Sequence, residues 1–137
     1  MPDRPRTGTA AILIIGVLYI VIGLVTAEMA KHGGLAGTRA WRLIAWLTSG
    51  ITYGAQIGYE RLRLGAPLRT AAVRAALASA LGAFGLAVAA NVHSARLHIG
   101  KPSLYLALAV WPAMTFVAAF LVALAVSAAL RPPARSR

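Results

Sequence analysis

Ser49-Gly50-Ile51-Thr52-Tyr53-Gly54-Ala55-Gln56-Ile57-Gly58-Tyr59-Glu60 is the stretch on which the reading of this chain turns. Wound as a helix at ~100° per residue, it separates into two faces. Gly50, Gly54 and Gly58 stack into one, a doubled G-x-x-x-G. Ser49, Thr52, Gln56 and Glu60 form a second, roughly 150° away around the axis. Glycines let a neighbouring backbone come close, and polar groups in hydrocarbon need partners. Neither face suits lipid. The sequence therefore predicts that this helix sits at the middle of a bundle, gripped on both sides, with the first and third helices doing most of the packing.

Composition sets the class. Of the 137 residues, 59% are hydrophobic and only 12% charged, more apolar surface than a soluble domain of this length can hide. The net charge of +11 suggests nucleic acid at first sight, but the basic residues fall at the ends and in the gaps between apolar runs. There they set topology and meet anionic lipid headgroups, and no basic stripe lies on a soluble module. Nucleic acid is not the partner. The chain has no cysteine, which removes disulfides, iron–sulfur clusters and thiolate chemistry together.

Working outward, residues 9–30 form an apolar run of roughly 22 residues, enough to cross a hydrocarbon core of about 30 Å. Val25-Thr26-Ala27 imitates a signal-peptide cleavage site, yet the run is long for a signal peptide's apolar core, so a retained helix is predicted. Gly16 and Gly23, one heptad apart with Tyr19 between them, give it a close-packing face. A glycine-containing loop at 31–39 leads to the second helix, 40–59, which contains the opening stretch. Gly65 and Pro67 then break the chain. The third helix, 70–92, carries ten alanines between residues 71 and 90 and is slender enough to press on a neighbour. After a loop with His98 and Lys101, the fourth helix runs over 103–130, and Pro112 inside it leaves the Leu108 carbonyl without its usual donor.

These features predict a single domain over residues 1–137: an all-α, integral membrane four-helix transmembrane bundle, antiparallel and up-down. Arg4, Arg6, Arg61, Arg63, Arg69, Arg74 and the three C-terminal arginines then share one side. Lys31, Arg39, Arg42, Arg96 and Lys101 share the other. The excess places the N- and C-termini on the cytoplasmic side. An Ala- and Arg-rich chain of this kind fits a bacterial inner membrane.

Three groups of residues bear on function. The polar stripe Ser49, Thr52, Gln56 and Glu60, with Arg74 expected at the depth of Glu60, is a transport path in one reading. In the plain reading, the hydroxyls bond their own helix and Glu60 pairs with an arginine. Glu28, His32, His93 and His98 emerge on the outer side and have the right donors for a metal, or, through the histidines, for haem. In the plain reading they are loop residues, with Lys31 as the partner of Glu28. The glycine faces Gly50, Gly54, Gly58 and Gly16, Gly23 serve helix packing. There is no nucleophilic cysteine, no carboxylate pair on one side and no G-x-S-x-G, so no catalysis and no cofactor is expected. The expected role is an accessory or assembly subunit of a membrane complex, or a small homo-oligomer.

Overall fold

The computed structural model describes residues 4–98 and 102–130, and the side chains from Gly8 onward. The basic tail at 131–137, the first three residues and Lys101, which the charge argument uses, lie outside the described residues. The described chain is all-helical. α1 spans Arg4–Lys31, α2 Gly34–Gly58, α3 Leu68–Arg96 and α4 Pro102–Ala129. α2 passes directly into a π turn, Tyr59–Arg63. α1 from Gly8, α3 and α4 are each long and apolar enough to cross a membrane.

The helices outrun the apolar segments at several ends. α1 begins at Arg4 rather than residue 9, α2 at Gly34 rather than 40, and α3 continues to Arg96. Hydropathy marks the length of chain that tolerates oil. A helix stops only where its backbone is turned. Between α1 and α2 that happens at Gly34, with φ +58°, and Thr38 Oγ1 ties the corner by donating to the Ala30 carbonyl. Before α3 it happens at Gly65, φ +59°, and Pro67. After α3 it happens at His98, which holds φ 53° without being glycine. α4 runs unbroken through Pro112.

Contacts give the directions. Thr38 meets Ala30, Gly16 meets Leu81 and Gly23 meets Leu86, while Asn91 Nδ2 donates to Leu104 O at 2.8 Å. Consecutive helices therefore run antiparallel, and α1 runs parallel to α3.

α3 is the hub, packed along α1 on one flank and along α4 on the other. Its alanines make this possible. Ala71, Ala72, Ala75, Ala76 and Ala78 are fully buried, and Gly82 is buried against Tyr19. On the α1 flank the fit is reciprocal. A Cβ added at Gly16 would lie 2.5 Å from Leu81, one at Gly23 2.7 Å from Leu86, and one at Gly82 2.5 Å from Tyr19 Cβ. Each glycine receives a bulky side chain from the opposite helix, and van der Waals contact of this kind is what holds helices together in lipid.

The central placement expected for α2 is overturned. α2 lies mainly against α1 and touches α3 and α4 only lightly. An added Cβ at Gly50, Gly54 or Gly58 would meet nothing within 4 Å. The reason is a competition between faces. A helix at the edge of an assembly can turn only one side inward. Turning the polar side in gives the Glu60 carboxylate the Arg74 guanidinium at 2.9 Å, and a buried charge is tolerated only when paired. A glycine facing outward merely forfeits dispersion contacts. The polar stripe turns in, and the glycines are left outside. The close packing expected of them is supplied instead by the alanines of α3.

Candidate functional site

The inward face of α2 contains the polar stripe, and each member has a distinct setting. Thr52 Oγ1 donates to its own helix at Thr48 O, 2.9 Å away. Ser49 faces a cleft described below. Gln56 is buried, and neither its amide nitrogen nor its amide oxygen has a hydrogen-bond partner. Glu60 is 2% exposed, and its Oε2 accepts from Arg74 Nη1 at 2.9 Å. The Arg74 guanidinium in turn lies over Gly8, where a Cβ would stand 2.7 Å from it.

The π turn adds a further device at this end. Arg61, inside it, donates from Nη1 to Ala66 O at 2.9 Å and from Nη2 to Leu130 O at 3.2 Å. One side chain thereby fastens the loop before α3 and the end of α4 to α2. Ile57, Ala72, Ala75 and Ala123 form a buried apolar layer alongside, flanked by Tyr53 and Phe120. In the sequence Arg61 counts only as one of the topology-setting charges, because an arginine beside a helix break looks like an ordinary loop charge.

Above this layer α2 stands away from α3 and α4, and the gap is a cleft of about 590 Å³ bordered by all four helices. α1 contributes Tyr19 and Ile22. α2 contributes Trp46, Ser49 and Tyr53, α3 contributes Ser79, Ala83 and Leu86, and α4 contributes Trp111, Thr115 and Ala118. Gly50 borders it too. The lining is mostly apolar, with a few hydroxyl groups. Tyr53 donates its hydroxyl to Ala119 O. The Tyr19 hydroxyl is buried near Ser79 but makes no hydrogen bond of good geometry. Neither tyrosine was a candidate from sequence. The available signal was position: both lie well inside their helices, whereas tyrosine favours the membrane–water interface.

At the outer end, Glu28 and His93 lie among basic side chains. Glu28 accepts from Lys31 Nζ at 2.6 Å on the exposed surface. His93 shares a second, shallow cleft with Glu28, but Lys31 and Arg96 line it as well. Those two positive charges oppose a bound cation. Among the described residues no three His, Cys, Asp or Glu side chains come together as metal ligands, and Glu28, His32, His93 and His98 are not gathered into one such group.

No family model matches the chain, and no curated protein or solved structure matches it.

Proposed function

We propose that this is a non-catalytic membrane protein that works by association, with the outward face of α2 as its contact surface. The observation that carries this reading is the doubled glycine motif at Gly50, Gly54 and Gly58, which has no neighbour within 4 Å inside the molecule. A second feature supports it. α2 carries Arg39, Arg42, Thr48 and Thr52 along its length and is not among the helices apolar enough to cross a membrane by composition. In this proposal α2 is nonetheless a fourth crossing, completing a transmembrane four-helix bundle with both termini cytoplasmic, in a bacterial inner membrane. A helix of that character is stable in lipid when another helix covers its outer side. The cover is a second copy of the chain or a partner subunit.

Transport along the polar stripe is the alternative. Below Ser49, however, the stripe runs into the layer of Ile57, Ala72, Ala75 and Ala123 and the Glu60–Arg74 pair. A continuous path requires that layer to open.

Native mass spectrometry in mild detergent tests association. Wild type is expected as a dimer or with a copurifying subunit, and Gly54→Leu as a folded monomer. A wild-type protein that is strictly monomeric and alone rejects the reading.

A further inference from the structure

The cleft holds an arrangement that helix packing does not require. Residue 19 is at the middle of the apolar segment Gly8–Lys31, the depth at which water is scarcest. There Tyr19 is nine-tenths buried and its hydroxyl, beside Ser79, makes no hydrogen bond of good geometry, while the void it borders measures about 590 Å³. Voids of roughly 300–1,000 Å³ with a few placed polar groups are the usual form of small-molecule sites.

The chemistry of the lining narrows the occupant. Main-chain carbonyls in a helix accept from their own amides, so the polar side chains on the walls that face the space are hydroxyls: Tyr19, with Ser79 beside it, Ser49 and Thr115. Each hydroxyl can donate as well as accept, and a ligand carbonyl is one group that would accept the donated hydrogen bond. The rest of the wall is apolar, and two indoles, Trp46 and Trp111, border the space at its exposed side. A saturated acyl chain fits the apolar wall but leaves the Tyr19 hydroxyl unsatisfied. A charged solute fits neither.

We propose that the cleft binds a lipid-soluble carbonyl compound of the quinone type, with a ring carbonyl accepting from Tyr19 and an apolar tail leaving toward the lipid. The inference is independent of what covers the outer face of α2, because the cleft is formed within one chain.

The test uses the full chain in phosphatidylcholine nanodiscs, titrated with a decyl-substituted benzoquinone, which quenches tryptophan on contact. The expected result is saturable quenching at one probe per chain, lost when Trp46 and Trp111 are both changed to Phe so that only Trp41 remains. Tyr19→Phe keeps the ring that packs on Gly82 and is expected to weaken binding roughly fivefold, the effect of one hydrogen bond. Ala83→Phe fills the cleft and is expected to abolish binding; Ala118→Phe does the same from α4 should the first variant fail to fold. Decylbenzene, which has the ring and tail without carbonyls, is expected to compete at least fivefold more weakly. Three outcomes overturn the proposal. Quenching rises without saturation as the quinone partitions into lipid, Tyr19→Phe binds as tightly as wild type, or decylbenzene competes equally, which makes the cleft a slot for alkyl chains.

Discussion

Glu60 is 2% exposed, and its carboxylate has one ion-pair partner among the described residues, Arg74 at 2.9 Å. Removing one member of a buried pair strands the other, at a cost of about 3–5 kcal/mol, whereas replacing both with apolar groups is often neutral. Arg74 is partly exposed, so water moderates the loss. Arg74→Leu is expected to lower the thermal midpoint in detergent sharply, and Glu60→Leu combined with Arg74→Leu to recover most of it. Equal losses in the single and double variants would show that the pair contributes nothing beyond packing. Gln56 is the opposite case, since both its amide atoms are buried without partners. Gln56→Leu is therefore expected to stabilise the protein by about 1–2 kcal/mol. A destabilised variant would mean that the amide has a use within the fold. The inward turn was legible in the sequence at its Glu60 end, because a carboxylate in an apolar segment must find a partner, and it was not legible for Gln56, which is buried without one. Tyr19 and Tyr53 were not legible. A tyrosine within a span reads as packing until the helices around it are known.

At the scale of elements, the number of helices and their approximate places followed from apolar runs of spanning length, and the breaks from Gly65 and Pro67. The order of packing did not follow. Both α2 and α3 offer small residues, and a pattern of small residues says that a backbone can approach, not which one does. α3 became the hub because its alanines and glycines are distributed around its circumference and admit α1 and α4 together. The glycines of α2 lie on a single flank. Two substitutions separate these roles. Gly82→Val drives a side chain into Tyr19 Cβ, 2.5 Å from an added Cβ, and is expected to destabilise by about 1–3 kcal/mol. Gly54→Ala meets nothing and removes the entropic cost of a mid-helix glycine. Its monomer is expected to gain about 0.5–1 kcal/mol while association weakens. Unfolding midpoints and oligomer distributions of the two variants check this directly. If Gly54→Ala destabilised the monomer, α2 would have to pack more closely than described.

The whole molecule is a three-helix core of α1, α3 and α4 with α2 laid against it, fastened at the corner by Thr38 and at the far end by Arg61 and the Glu60–Arg74 pair. Between those fastenings α2 borders the cleft on one side, where Gly50 lies, and presents Gly54 and Gly58 uncovered on the other. The account depends on that outer side being the surface by which the protein meets another. The absence of cysteine makes a single-site measurement clean. Ile51 is 72% exposed beside the glycine face, and Val117 on α4 serves as a lipid-facing control at 56%. Each is changed to Cys in turn, labelled with benzophenone-maleimide in native membranes and irradiated. The account predicts a protein adduct from position 51, either a dimer or a fixed heterologous species, and lipid adducts only from position 117. Lipid adducts alone from both positions would contradict it.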